Sequence, residues 1–277
     1  LHSAAENLLK NKDLIIKENE KDVRENKEKL TPATLDRLIL DEKRIRTYKT
    51  DAIILSQRQF GETDKLITVF TKEHGKKTII AKGILKSTSP LIYHLDNMNL
   101  TRLVMSKGKN LDLVTQASVI ESFEQIRNSY ELMVQGLYIL ELIDKFSIDN
   151  NADAKLYDSI IATFSRMNNN EPLLLNVRLF ELNLLQSSGL MPEFNQCIEC
   201  SVPVSSEQTF INVNSGGVLC LNCKELHSNN ILLSVPTIKV LRAMLFENYK
   251  QIKNIKISNE IHEELSNILI QFIDFHL

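Results

Sequence analysis

The apolar positions of this 277-residue chain change their period twice. Up to residue 46 they recur at helical intervals, with Leu8, Leu9, Ile15, Ile16 and Val23 set among charges. Thr31-Pro32 places a cap residue before a first-turn proline and starts a second helix, "PATLDRLILDEKRIR". This stretch is too polar to form a core of its own. From Tyr48 the period falls to two and β-branched residues take over, so that "TDAIILSQRQF", "KLITVFT", "KKTIIAKGILK", "NMNLTRLVMS" and "NLDLVTQASVI" read as five strands. Glycine-bearing breaks at "FGETD", "KEHGKK" and "SKGKN" supply turns between them. Five short strands without a long intervening helix predict a small closed barrel, OB-type or, on spacing alone, SH3-like. After Glu121 the helical period returns over 122–147, 154–168 and 172–188. It appears again in "VPTIKVLRAMLFENYKQI" and "SNEIHEELSNILIQFIDFHL", with Ser258-Asn259-Glu260 as a helix start. The fold class is therefore α+β. A helical segment spans 1–46, a barrel spans 47–120, and a helical domain at 121–277 carries an inserted cysteine module at 194–226.

Charge separates these parts. The formal net charge is only −2, yet residues 48–110 hold eleven Lys/Arg against five Asp/Glu, a local +6. Residues 111–277 hold eleven against twenty, a local −9. A basic module on an acidic body points to a polyanion partner for the first part only. In the barrel, Arg58, Lys65, Lys76, Lys77, Lys82, Lys86, Arg102, Lys107 and Lys109 fall on strand ends and turns, interleaved with Tyr48, Phe60, Phe70 and Tyr93. Cations that follow phosphates beside aromatic faces that stack bases suit single-strand binding. Taken singly, each lysine also suits a solvated face and each aromatic a core; the charge excess turns the module as a whole towards nucleic acid.

All four cysteines lie in "CIECSVPVSSEQTFINVNSGGVLCLNC": Cys197, Cys200, Cys220 and Cys223. Two C-x-x-C turns nineteen residues apart present four sulfurs to one point, the donor set of a structural Zn2+ site, one ion per chain. Cysteines packed as small hydrophobes, or a redox pair, are the other readings of the same residues. Gly216-Gly217 lets the backbone fold tightly before the second pair. His227, four residues after Cys223, is an alternative ligand that a complete four-cysteine set does not need. With all positions taken by sulfur, no coordination place is left for a reacting water.

Catalysis is not expected. The eight glycines form neither a phosphate loop nor a dinucleotide fingerprint, and no G-x-S-x-G or H-E-x-x-H occurs. No stretch is long and apolar enough to span a bilayer, and the start lacks a secretory pattern, so a cytoplasmic, nucleoid-associated protein with reduced thiols is expected.

"FGETDKLITVFTKEHGKKTIIAKGILKSTS", "FELNLLQSSGLMPEFNQCIEC" and "GGVLCLNC" resemble, in order, the bacterial recombination mediator family RecO over about residues 47–277. The resemblance implies an OB barrel followed by a helical domain with a zinc ribbon, and a non-catalytic role. It implies binding of single- and double-stranded DNA, strand annealing, and work with RecR to load RecA onto strands coated by single-strand-binding protein. The family's K-G-x-x-[KR] turn falls on Lys82, Gly83 and Lys86; Ile84 and Leu85 stand where members often carry further arginines. Many members lack the cysteine ligands, so the resemblance makes zinc a scaffold. The chain stops at "FIDFHL", where members continue for a short basic stretch, so a truncated C-terminus is expected. An acidic tail of single-strand-binding protein calls for a basic notch, and Arg127, Lys145, Arg178 and Arg242 are the cations available for it. Residues 1–46 fall outside this pattern and resemble the N-terminal helices of glutamate-5-semialdehyde dehydrogenase, without that enzyme's nucleotide site or nucleophile; a fused remnant is expected there. A protein-binding adaptor with a structural zinc site and no direct DNA role is the alternative. Salt-sensitive DNA affinity separates the two.

Overall fold

The computed structural model describes residues 47–204, 209–246 and 249–277. The expected helices of 1–46, and their resemblance to the dehydrogenase, lie outside the described residues. Lys49–Leu277 forms one compact unit.

Strands β1 (Thr47–Phe60), β2 (Asp64–Thr71), β3 (Gly75–Ala81), β4 (Leu100–Ser106) and β5 (Asp112–Glu121) close into a barrel in the order β1-β2-β3-β5-β4. β1–β2, β2–β3 and β4–β5 pair antiparallel, whereas β3 and β5 run parallel through Ile79↔Asp112 and Ile80↔Leu113. Period-two alternation accounts for the filling: Ile67 and Val69 on β2, Ile79 and Ala81 on β3, and Leu103 and Met105 on β4 are all buried. The opposite set, Ile53, Leu55 and Phe70, is buried as well, because it belongs to the core of the helical body. β1 serves both sides by the same alternation, which a bulge between Ile54 and Ser56 then shifts. Ile54 pairs with Val69 before it and Gln57 with Ile67 after it, so the extra residue reverses which positions face inward.

Helices α1 (Glu124–Arg127), α2 (Tyr130–Phe146), α3 (Ala154–Asn168) and α4 (Leu173–Ser187) follow. The single helix expected over 122–147 is thus broken near Ser129, whose hydroxyl accepts the Leu132 amide and caps α2. Upstream, Phe123 takes a left-handed backbone (φ 52°) that buries its ring against Phe164 of α3. Asp153 caps α3 through the Leu156 amide at 2.8 Å. After α4 comes a three-stranded sheet in the order β7-β6-β8, from β6 (Thr209–Asn212), β7 (Gly217–Leu219) and β8 (Ile231–Leu233). Its third strand lies beyond residue 226, where the sequence reading ended the cysteine module. Helices α5 (Val235–Phe246), α6 (Tyr249–Ile252) and α7 (Asn259–His276) close the chain, with Ser258 in the N-cap position of α7 but no cap bond from its side chain.

The barrel is fastened to the helices. Lys76 Nζ donates to the Asp144 carbonyl at 2.5 Å and lies 3.4 Å from the Asp144 carboxylate and 3.6 Å from that of Asp149. The Arg127 guanidinium donates to Asn97 O at 2.6 Å and Asn99 Oδ1 at 2.7 Å.

Candidate nucleic-acid interface and cysteine cluster

One end of the barrel is built around Asp64. This residue opens β2 opposite Phe60, and its Oδ1 accepts the Gly83 amide at 2.7 Å and the Thr63 hydroxyl at 3.1 Å. The Leu85 amide donates to Thr63 O at 2.9 Å, so the 82–86 turn lies along the β1–β2 turn. Gly83 is needed there for its positive φ of 65°. The Gly83 hydrogen bond, helped by Thr63 and by the Lys82 and Lys86 charges, holds the Asp64 carboxyl below its usual range. Strand alternation places Arg58 on the same outward side of β1 as Phe60. Arg58, Lys82 and Lys86 are exposed and form no ion pair with any described residue.

The other predicted cations divide. Lys65, on the opposite side of β2 from Asp64, donates to Gln57 Oε1 at 2.7 Å. Lys107 and Lys109 are exposed in the β4–β5 turn. Three are already engaged with carboxylates: Lys76 at the helical junction, Lys77 with Asp112, and Arg102, which grips both oxygens of Asp51 at 2.8 and 2.9 Å. Among the aromatics, Phe70 is 1% exposed and belongs to the core, whereas Phe60 is 50% and Tyr93 80% exposed. The four cations considered for an acidic tail are also occupied. Arg127 holds Asn97 and Asn99, Lys145 pairs with Glu141, Arg178 pairs with buried Glu181, and Arg242 donates to Phe194 O and Val204 O.

The second candidate site joins two knuckles. Sulfurs of Cys197, Cys200, Cys220 and Cys223 all lie within 4.8 Å of one another, and Cys200 and Cys220 are 3.8 Å apart. A tetrahedral ion with Zn–S bonds of about 2.3 Å separates its sulfurs by roughly 3.8 Å, so this donor set fits zinc in both spacing and softness. Burial pushes the Cys197 thiol up, but amides of Cys200, Cys220 and Glu199 turned towards it prevail and bring it down to about 6. Hydrogen bonding to Cys220, with burial second, pushes Cys223 up to about 12. Gly217 is required by close approach: a Cβ there would stand 2.7 Å from both Glu193 O and Ile198 Cγ2.

His227 lies outside the sulfur cluster. Its Nε2 is 2.7 Å from Glu199 Oε1, inside the first knuckle, and its Nδ1 is 2.9 Å from Ser215 Oγ. Sequence reasoning treated His227 only as a spare ligand. Its contact with Glu199 spans 28 residues, and no local pattern announces it.

Residues 45–123 match the family described as recombination protein O N terminal, and residues 127–277 match recombination protein O C terminal. A DNA repair protein RecO of Dehalococcoides mccartyi strain BAV1 is 34% identical over 218 residues, 79% of this chain and 86% of that protein. The DNA repair protein RecO of Alkaliphilus metalliredigens is 30% identical over 230 residues, 83% and 93% of the two chains. That of Thermoanaerobacter sp. strain X514 is 28% identical over 235 residues. Among the described residues no helix is long and apolar enough to cross a membrane.

Proposed function

The chain belongs to the recombination protein O family and has a recombination-repair role, and on that premise we propose that it is a non-catalytic mediator that binds single- and double-stranded DNA through one end of its barrel. The observation that carries this reading is the gathering of Arg58, Lys82 and Lys86, free of ion pairs with described residues, around the Asp64–Gly83 bond. Each ammonium or guanidinium that meets a phosphate releases condensed counterions, so affinity comes mostly from charge and carries little sequence preference. Lys107 and Lys109, exposed in the β4–β5 turn, and Lys65, which turns to the other side of β2 and donates to Gln57, are further phosphate contacts in this reading; Lys76, Lys77 and Arg102 are engaged with carboxylates. Two strands held on one cationic surface repel each other less, which is how the chain would anneal them. RecR and single-strand-binding protein, and RecA through them, are the partners proposed from family membership.

We assign the four cysteines to one structural Zn2+ per chain. The ion would supply a fixed tetrahedral joint between the two knuckles, and the helical body would then present a rigid ribbon. Gly217 keeps the second knuckle close to Glu193, and buried Cys197 anchors the first in the core.

Fluorescence anisotropy of a labelled single strand, titrated across a range of salt, tests the DNA reading. Affinity should fall steeply with salt, and Lys82→Ala or Lys86→Ala should each weaken binding and reduce the slope of log K against log salt by about 1. Absence of binding at low salt would refute it and favour a protein-binding adaptor.

A further inference from the structure

We infer that Phe60 is a base-stacking platform that makes this end of the barrel prefer unpaired DNA over duplex. The inference rests on the DNA reading above and adds to it the residue that distinguishes one strand from two.

Phe60 ends β1, where the chain turns back at Gly61. Half of a phenylalanine surface left in water at a strand end is costly to keep, since exposed apolar area forgoes about 25 cal/mol per Å2 of burial. A lone exposed apolar residue would need no explanation. This one has ordered neighbours of matching chemistry. Asp64 stands opposite it, and the same carboxylate pins the Gly83 amide at 2.7 Å. The exposed Leu85 is fixed to the same turn through Thr63 O at 2.9 Å. Arg58 lies two residues back on the same outward side, while Lys82 and Lys86 flank the pinned glycine. The Lys86 side chain runs back over Gly83, its Cδ 3.5 Å from where a Cβ would stand. The surface is thus an aromatic face, an aliphatic neighbour and three cations around one carboxylate, Asp64, which is occupied by the Gly83 amide and the Thr63 hydroxyl, on a strand end and a turn that are both hydrogen-bonded in place.

A nucleic acid offers that surface two things: phosphates for the cations and a π-face for the ring. Phosphates are present on any strand, but a base face is free only where the partner strand is absent. The cations therefore bind both forms, and the ring adds affinity for one of them. Charge complementarity commits the occupant to a polyanion, and the apolar ring to one with exposed planar groups. Single-stranded DNA satisfies both.

The chain contains no tryptophan. Phe60→Trp therefore installs a single indole reporter at the site without removing an aromatic face. In the whole 277-residue chain, its emission should be quenched on addition of an oligothymidine, and much less by a duplex or by an abasic strand of equal charge. Phe60→Ala should lower the ratio of single-strand to duplex affinity by roughly tenfold, within the range for loss of one stacked base. Lys82→Ala should lower both affinities and leave that ratio nearly constant. An unchanged ratio in Phe60→Ala, or equal quenching by the oligothymidine and the abasic strand, would overturn the stacking role while leaving the DNA reading intact. If the wild-type chain binds neither form, both inferences fall together.

Discussion

The Asp64 carboxylate accepts the Gly83 amide across nineteen residues of chain, at 2.7 Å. The bond joins two motifs, GETD at 61–64 and KG at 82–83, which in the sequence are only two separate turns. Held together, they place Lys82 and Lys86 beside the outward side of β1. Without it, those cations would ride on a loop fixed mainly by the Leu85 amide.

Asp64→Ala should therefore loosen the 82–86 turn while leaving the barrel closed. Amide exchange at Gly83 is expected to accelerate, whereas exchange at Ile67 and Ile79 stays slow. Asp64→Asn keeps an acceptor and should behave as an intermediate. Because the folded Asp64 carboxyl lies below its ordinary value of 3.8, its contribution is present at neutral pH and is lost as pH falls below that value through the folded one. Exchange at Gly83 should show that acid limb in the wild type and lack it in Asp64→Ala.

Elemental analysis of protein purified without added metal should find about one zinc per chain. Cys220→Ser should reduce this to near zero and cost several kcal/mol of local stability, since binding energy at such sites is folding energy. Limited proteolysis is expected to cut the variant between residues 194 and 226 first, with the barrel still resistant. Chelator treatment of the wild type should reproduce the same cleavage pattern. Full zinc in Cys220→Ser would remove the four-sulfur assignment.

His227 and Glu199 connect the stretch after the second knuckle to the middle of the first, at 2.7 Å. His227→Ala and Glu199→Gln should each speed zinc release to a chromogenic chelator by about tenfold, the lower end of what supporting residues contribute at metal sites. The double variant should release no faster than either single one, because both remove the same contact. Additive effects would mean that the two residues act separately.

Glu181 of α4 is fully buried, with Arg178 Nη1 3.1 Å from its Oε2 and the Tyr138 hydroxyl donating to its Oε1 at 2.8 Å. The Arg178 contact is close but poorly aligned, and neither atom completes a hydrogen bond. Burial outweighs both partners and raises the Glu181 carboxyl to about 7. Its favourable contribution is thus complete below the ordinary 4.5 and is lost as pH rises through about 7. Glu181→Ala should cost about 3–5 kcal/mol in urea denaturation at neutral pH by stranding Arg178, and replacing both residues with apolar ones should recover most of it. Wild-type stability should also decline between pH 5 and 8 more steeply than that of Glu181→Gln.

Much of the barrel was legible because its strands are half-buried and alternate, and turn glycines punctuate them. The reading of "KKTIIAKGILK" ran too long: β3 stops at Ala81, and the Gly83 amide turns to Asp64, a distant partner. The broken helix at 122–147 was missed for a related reason, as apolar periodicity continues straight across Ser129 while the break is made there by its side chain, which caps the Leu132 amide. At the candidate sites, cysteine spacing sufficed to find the cluster, because each knuckle is a local turn. The cations were less informative. Lys76 and Lys86 look alike in sequence, yet one is 15% exposed at its side chain against Asp144 and the other stands in solvent. Only the fold sorts charges that hold the molecule together from charges left over for a partner.

The bulge at Ile54–Ser56 makes the length of β1 matter more than its composition. Many residues would serve at Gln57 or Gln59, but a one-residue deletion there would rotate the rest of the strand by half a turn. With Gln57 lost, Arg58 and Phe60 would point towards the barrel interior and Gln59 towards solvent. Drift within the family should accordingly be free with substitutions along this strand and nearly silent in insertions and deletions, since a single codon gained or lost would exchange a gripping surface for an inert one.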